Sequence, residues 1–548
     1  MVLNKGQLPP DPARLLLGAG MRARLVSILF VLGFAGLAIK GGVVALQPTS
    51  EPDGVSRVFA ETPRRADIID RNGDLLATSV TVYSLFADPR AMMDTALVAA
   101  RLGEVLPALD VERVAARLAR KDRAFVWIQR GLTPRQRQAV FELGLEGLGF
   151  REEVRRAYPR GTLAGHVLGF AGADGKGLAG IEYAQEARLS RGGEPLRLTL
   201  DANVQFSLEA ELARGVAQYG ARAGAGLVLD ARQGDILAMA SWPPVDPHQA
   251  TRIPSDHPSR FNHAYGSVFE LGSVFKPLTA AAALDTARIS LSDRYDVSEP
   301  IEVRGRTISD THPIASPASV GEIISDSSNI GTVRIAWRLG AEDQWASLEA
   351  LGLTRAVEAD LAGVARPLLP ERLDPLHAAT VSYGHGIAVS PLALAAAYTA
   401  FANDGVRVAP RLVEAPGPAP MRQMVWSAAT NATLLGMLRD AVVSGTGQLA
   451  DIPGYRVAGK TGTAEKPVGG VYLPDANICS FAAVFPADSP EYVVLIVLDE
   501  PEAGPDRGRA ASWNAAPTAG AVIQRIAPIL GVTPELAAAP LLQERTQL

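Results

Sequence analysis

The chain has 548 residues, 47% hydrophobic and 20% charged, with 52 glycines and 39 prolines spread along it. Length and composition indicate a multi-domain globular protein and exclude collagen-like, mucin-like or solenoid chains. The net charge of -5 leaves no basic footprint, so no nucleic-acid partner is expected.

The first informative element is Leu25 to Ile39, which carries no charge. If Lys40 snorkels, the apolar stretch reaches Leu46 and the roughly 20 residues of a spanning helix. Lys5, Arg14, Arg22 and Arg24 precede it against Asp11 alone, so the N-terminus is expected in the cytoplasm and the rest outside. No small-x-small cleavage site follows, which favours an uncleaved anchor over a signal peptide or a buried core helix. The expected division is a cytoplasmic tail over 1–24 and a transmembrane helix over 25–46.

Residues 47–60 have the composition of a juxtamembrane linker. Asn72-Gly73 between two apolar runs predicts a hairpin. Helical patterns follow over Met92–Leu106, Val111–Lys121 and Pro134–Leu143, with a strand over Phe125–Gln129. Tyr158 to Glu182 is Gly-rich and reads as loops and tight turns. Leu196–Leu200 predicts a strand, and Asp201 caps a helix running to about Tyr219.

The pattern then changes. Strands over Gly226–Leu229 and Asp235–Ala240 are joined at Gln233-Gly234, and a helix-rich middle follows. Strands return in YRVAGKTGT, ICSFAAVFPA and EYVVLIVLDE, before a closing helix from Asn514 to Leu530. The expected fold class is α+β: an N-terminal transmembrane helix, a mixed α/β domain, and an antiparallel sheet covered by helices on both faces. The expected boundaries are 47–219 for linker and first domain, 220–533 for the second, and 534–548 for a loose tail. The single cysteine, Cys479, reads as a buried small side chain and leaves the redox compartment open.

Three short motifs in the second domain carry chemistry. Ser273-Val274-Phe275-Lys276 opens an apolar helix, placing Ser and Lys on one face at i and i+3, with Ser at the positive end of the dipole. A serine hydroxyl needs a neighbouring base, and a lysine serves if burial or another cation lowers its pKa. Ser327-Ser328-Asn329 offers a proton relay and an amide that can hold a peptide; alone, an N-capping cluster before a helix at Ile330–Leu339 is the simpler reading. Lys460-Thr461-Gly462-Thr463 sets a cation and two hydroxyls on a strand, suited to a carboxylate, with Gly462 allowing a substrate backbone close to the edge. A phosphate-binding loop is the rival reading of Gly459-Lys460-Thr461, and Gly454 is read as one residue too near for it. Each motif alone is weak, but the ordered set S-x-x-K, S-x-N, K-T-G is a known signature of penicillin-binding proteins and class A β-lactamases.

At these residues the chain resembles class B penicillin-binding proteins over nearly all of its length after residue 20. RADIIDRNGDLLA (Arg65–Ala77), RAYPRGTLAGHVLGF and GLAGIE resemble boxes of the non-catalytic pedestal. LVLDARQGDILAMAS, FELGSVFKPLTAAAAL, SDSSNIG and VAGKTGTAEK resemble the transpeptidase entry and its three active-site motifs. SYGHGIAVSPLALAAAYTAFANDG (Ser382–Gly405), with the single anchor and short pedestal, resembles the division-specific branch.

The resemblance implies a peptidoglycan D,D-transpeptidase at the septum. Ser273 is the implied nucleophile, Lys276 its base, Ser327 the proton shuttle and Lys460 the cation that lowers the base's pKa. Asn329, Thr461, Gly462 and Thr463 are implied to hold the donor peptide, Lys460 to share its carboxylate, and the backbone N–H groups of Ser273 and Thr463 to form the oxyanion hole. Implied partners are stem peptides, lipid-linked precursor strands, β-lactams, the membrane, and a membrane-embedded glycosyltransferase of the shape and division family with other division proteins. No cofactor and no metal are expected. Leu271 stands where the family has Pro, His248 where it has Asn, and ASWNAAP (Ala511–Pro517) where it has a Gly-Gly box; none is expected to touch the catalytic positions. Alternatives are an elongation-specific relative, a carboxypeptidase or β-lactamase, a β-lactam sensor, and a scaffold with a silent site.

Overall fold

The computed structural model describes residues 27–38, 40, 64–414, 419–504 and 508–535. Residues 27–38 and Lys40 are helical, and the rest of the expected 25–46 span lies outside the described residues. Among the described residues no helix is long and apolar enough to cross a membrane. The expected tails, and the linker up to residue 63, also lie outside them, apart from the first residues of the C-terminal tail.

Strands β1 (Ile68–Ile69) and β2 (Leu75–Ala87) form the hairpin expected at Asn72-Gly73, with Ile68 opposite Ala77. The Asp70 carboxylate closes the turn by accepting from the Asn72 and Asp74 amides at 2.8 Å each. Strands β3 (Val126–Leu132) and β4 (Leu148–Ala157) both pair antiparallel with β2, and β5 (Leu196–Arg197) adds parallel to β1. Helices α1 (Thr95–Val105), α2 (Val111–Leu118) and α3 (Pro134–Glu142) share a core with the sheet through Leu85, Leu102, Leu118 and Val140. Asp94 and Asp110 cap the first two, and Thr133 with Gln136 forms a capping box on the third.

Three of the boxes read from the sequence meet in one buried ion cluster. Glu182 is fully buried and receives Arg65 Nη2 at 2.9 Å on one oxygen and Arg156 Nε at 2.6 Å on the other. Arg65 also reaches Glu186 at 2.7 Å. Burying these charges is costly unless each is paired, so the cluster fixes which segments come together.

The larger half starts with α4 (Ala202–Gln218), capped by Asp201, and strands β6 (Ala223–Asp230) and β7 (Ile236–Trp242). Helices α5 (Lys276–Asp285), α6 (Val320–Ser325), α7 (Asn329–Leu339), α8 (Pro391–Ala402) and α9 (Ala428–Val443) fill the middle. Strands β8 (Ala458–Val468), β9 (Val471–Phe485) and β10 (Tyr492–Asp499) and helix α10 (Ala515–Ile529) close it. The sheet runs β8-β9-β10-β6-β7 and is antiparallel throughout.

Strand β10 shows why both faces carry helices. Val493, Leu495 and Val497 point into one core with Leu227, Leu392 and Phe401. Val494, Ile496 and Leu498 point into the other with Leu208 of α4 and Ile523 of α10. A strand buried on both faces reads as an unbroken apolar run, as EYVVLIVLDE does. Cys479 is fully buried on the second of these faces.

Two expectations change. The Ser273 segment is a 3-10 turn, Gly272–Phe275, and the α-helix begins only at Lys276. Strand β9 begins at Val471, ahead of ICSF, because the Gly469-Gly470 turn folds it back on β8 with Val468 opposite Val471.

Removing the shared anion should unfasten the first half. Glu182→Ala leaves Arg65 and Arg156 facing each other and should cost about 3–5 kcal/mol in denaturant unfolding, the range for a broken buried pair. A loss below about 1 kcal/mol, the surface-pair range, would show that the cluster does not hold these segments.

Candidate active site

Three backbone segments are stacked without side chains between them. A Cβ at Gly462 on β8 would lie 2.1 Å from the Leu271 carbonyl oxygen, and one at Gly384 would lie 2.1 Å from the Gly272 carbonyl oxygen. The Gly272 amide donates to the Gly384 carbonyl at 3.3 Å. The S-x-x-K turn is thus clamped between the K-T-G strand and the SYGHG segment. Ser480 Oγ donates to the Leu271 carbonyl at 3.0 Å, and the buried Tyr398 hydroxyl donates to the Val274 carbonyl at 2.7 Å. Gly462 is therefore required by the turn itself rather than by an approaching substrate as the sequence suggested.

The clamp brings the three motifs together. Lys276 is fully buried, and its Nζ donates to Ser327 Oγ at 3.1 Å and to the Ser327 carbonyl. Among the described residues the Ser273 hydroxyl makes no side-chain hydrogen bond, so the resting lysine sits on Ser327 and not on the serine one turn before it. Ser327 has φ +65°, a left-handed conformation that costs a non-glycine residue energy and that often marks functional positions. Ser328 caps α7, as the simpler reading proposed, while Ser327 beside it faces the lysine. Asn329 is the first residue of that helix, and its Nδ2 donates to the Ser309 carbonyl at 2.9 Å.

Lys460 is also fully buried. Its Nζ lies 3.4 Å from Thr446 Oγ1, 3.3 Å from the Thr461 carbonyl and 3.4 Å from Thr461 Oγ1. The Thr446 and Thr461 hydroxyls are 2.6 Å apart. Lys460 does not line the cleft. It lies behind the threonines, so a bound carboxylate meets hydroxyls first. Thr463 Oγ1 accepts from the Ala511 amide at 3.0 Å, so its hydroxyl is already engaged.

The electrostatics follow from this burial. Desolvation drives Lys276 well below the ordinary amine range, the Lys460 cation adds to the shift, and Asp310 opposes it. Burial brings Lys460 down to about 7, against the pull of Asp326. Asp310 was not visible in the sequence. It accepts from Ser328 Oγ at 2.7 Å and from the Ile330 amide at 3.0 Å, holding the start of α7 against the site. Thr446 was also missed; the Ser-Gly-Thr-Gly run ahead of β8 is the only local signal it gives.

An open cleft of about 680 Å³ runs over Ser273, Ser327, Asn329, Thr461 and Thr463. Tyr383, His385 and Thr446 line it, as do Ser512 and Trp513. The ASWNAAP departure thus borders the site after all. His385 lies with its Nδ1 3.6 Å from Glu270, which accepts from the Tyr472 hydroxyl at 3.0 Å. Burial, then Lys276 and Arg306, push His385 down to about 4.

The phosphate-loop alternative needs a correction. Gly454 through Thr461 does spell G-x-x-x-x-G-K-T, so spacing does not exclude it. The fold does: Lys460 and Thr461 lie inside strand β8, which continues to Val468, and no helix opens after them to receive a phosphate.

The family description "Penicillin binding protein transpeptidase domain" matches residues 224–524, and "Penicillin-binding Protein dimerisation domain" matches residues 60–192. The chain belongs to the class B penicillin-binding proteins. It is similar to the probable peptidoglycan D,D-transpeptidase FtsI of Caulobacter vibrioides, 39% identical over 96% of this chain and 90% of that protein. The probable peptidoglycan D,D-transpeptidase PenA of Neisseria gonorrhoeae is 33% identical over 82% of each chain. Among solved structures, penicillin-binding protein 3 from Mycobacterium tuberculosis in complex with aztreonam superimposes with a TM-score of 0.69 at 27% identity, covering 87% of this chain and 98% of that one. The same protein with ampicillin gives 0.69 at 28% identity, covering 88% and 98%.

The clamp is testable apart from the chemistry. Gly384→Ala must displace the Gly272 carbonyl and adopt φ +82° with a side chain. It should cost about 1–3 kcal/mol in stability and slow penicillin acylation of the folded protein. Unchanged acylation would show that this stacking does not position Ser273.

Proposed function

We propose that Ser273 is the nucleophile of a peptidoglycan D,D-transpeptidase that forms septal cross-links, with Lys276 as its base. The observation that carries this is a fully buried lysine amine resting on Ser327 Oγ at 3.1 Å, beside a second buried lysine, with no carboxylate bonded to it. Burial and the neighbouring Lys460 cation favour the neutral form of such an amine, which can take a hydroxyl proton.

In the first half-reaction Ser273 Oγ attacks the penultimate D-Ala carbonyl carbon and its proton passes to Lys276. The bond to the terminal D-Ala nitrogen breaks, and that amine leaves with a proton relayed by Ser327. In the second, an acceptor amine attacks the ester carbon, the new amide forms, and Ser273 regains a proton. The backbone N–H groups of Ser273 and Thr463 stabilise the oxyanion, a preorganised contribution of about 2.7–4 kcal/mol per donor. Asn329 holds the donor peptide. Thr461, Gly462 and Thr463 form the strand edge it lies along, and the Lys460 charge reaches its terminal carboxylate through the threonine hydroxyls. β-Lactams enter as mimics of the D-Ala-D-Ala end and acylate Ser273.

The apolar run over 25–46 and the basic residues before it support an inner-membrane anchor with a cytoplasmic N-terminus and an extracytoplasmic catalytic domain. The proposed organisation is tail 1–24, anchor 25–46, linker and pedestal 47–200, transpeptidase domain 201–533, and tail 534–548; the boundary expected at 220 moves because α4 packs Leu208 and Leu212 into the core of the second sheet. The pedestal docks a membrane-embedded glycosyltransferase of the shape and division family, because the chain carries no glycosyltransferase motif and its reaction needs nascent glycan nearby. Recovery of such a partner from membranes should fall when residues 55–200 are deleted, which leaves α4 in the core of the larger half, and equal recovery would contradict the docking role.

Three results test the chemistry. Ser273→Ala should abolish stable labelling by a fluorescent penicillin, and persistent labelling would move the nucleophile elsewhere. A base with a depressed pKa is neutral above that pKa and lost below it, so acylation should fall as pH drops through the titration of the lysine pair, Lys460 entering at about 7. A flat profile from mildly acidic to mildly basic pH would contradict a lysine base. Lys276→Arg, which stays charged, should lower acylation by about 100-fold or more.

A further inference from the structure

A second cleft, of about 450 Å³, lies between the pedestal and the loop after β7 and shares no lining residue with the catalytic cleft. Arg65, Arg130, Arg155, Arg156 and Arg252 line it, and no Asp or Glu among the described residues does. That is unexpected in a chain of net charge -5.

Its charges are unequally compensated. Arg65 is paired with Glu182 and Glu186. Arg156 has 3% side-chain exposure and meets Glu182 through Nε, but its buried Nη2 has no hydrogen-bond partner. Arg130 meets Glu153 at 3.3 Å, and among the described residues the Arg252 side chain bonds only the neutral Gln249 side chain, at 3.2 Å. Arg155 is half-buried, lies over Gly131, and its guanidinium donates no hydrogen bond to any described residue. Burial lowers its pKa; Glu153 opposes that, and Arg130 and Arg252 lower it further by like-charge repulsion. A cluster of this kind is stable when an anion sits among the guanidinium groups.

The site is also built across two domains. His248, the residue standing where the family has Asn, accepts the Tyr158 amide on Nε2 at 3.1 Å and faces Asp246 through Nδ1 at 3.2 Å. It pins the loop that carries Arg252 against the end of β4, which carries Arg155 and Arg156. Both of its ring nitrogens are engaged, so it positions the arginines without joining them as a ligand.

We propose that this interdomain cleft binds a phosphate-bearing anion between Arg155, Arg252 and Arg130. Two guanidinium forks without an acidic partner of their own, beside a third that shares the single carboxylate of Glu153, suit a group of more than one negative charge, which a phosphate or diphosphate provides and a single carboxylate does not. A ligand held by both domains stabilises their arrangement by mass action.

The test is thermal unfolding of the full-length chain in nanodiscs, in chloride buffer, with millimolar pyrophosphate added at constant ionic strength. The wild type should gain a few degrees, and Arg155→Gln/Arg252→Gln should gain nothing while retaining penicillin acylation. Without pyrophosphate, Arg155→Gln alone should unfold no earlier than wild type, since it relieves repulsion; a purely structural arginine would unfold earlier when cut. Discs with and without phosphatidylglycerol separate the sources. A midpoint already raised by phosphatidylglycerol and insensitive to pyrophosphate identifies a lipid headgroup, and a pyrophosphate gain equal in both discs identifies a soluble phosphate. Equal gains in wild type and double variant, no gain in any condition, or an equal gain from a glutamate peptide would overturn the proposal.

Discussion

Two primary amines, Lys276 and Lys460, are buried without a carboxylate bonded to either, and the rest of the site is arranged around keeping them so. Taking an ammonium out of water is expensive, and the cost falls when the group gives up its proton. In the proposed mechanism this cost becomes chemistry: a neutral amine is a base, and a buried neighbour of like charge favours that neutral form. Asp310 and Asp326 bias the pair without quenching it, because Asp310 spends its oxygens on the start of α7.

Burying two lysines side by side needs three chain segments packed more closely than side chains allow. Backbone lies on backbone at Gly272, Gly384 and Gly462, and buried hydroxyls from Ser480 and Tyr398 take up the carbonyls of the turn. The 3-10 geometry of Gly272–Phe275 follows from this clamp, since the turn is shaped by its contacts on two sides and becomes α-helical only where α7 and α9 pack around it.

Much of this was legible in the sequence because it is local or periodic. The unbroken apolar run of β10, the Asn-Gly hairpin, the Asp201 cap and the order of three motifs are each written in adjacent residues. What was not legible is long-range. Asp310 reaches α7 across a loop that has no periodicity. Thr446 meets Thr461 only because α9 ends against β8. Lys460 reads as a strand cation suited to a carboxylate, yet it is fully buried and its strand face is covered by the turn that carries Ser273. The role of Gly462 was misread for the same reason: a glycine beside a candidate site suggests room for a ligand, whereas here the space is already taken by the protein. His248 and the ASWNAAP segment looked neutral as departures from a pattern, and the fold gives each a place at a cleft.

The account turns on the protonation state of one amine. The most direct measurement is an NMR titration of the Lys276 side chain in protein labelled with nitrogen-15 lysine, assigned by loss of the signal in Lys276→Gln. The account predicts that Lys276 loses its proton well below the ordinary lysine value of 10.5, moving with Lys460 as a coupled pair. A Lys276 that titrates near 10.5 in the folded protein would contradict it and leave Ser273 without a base.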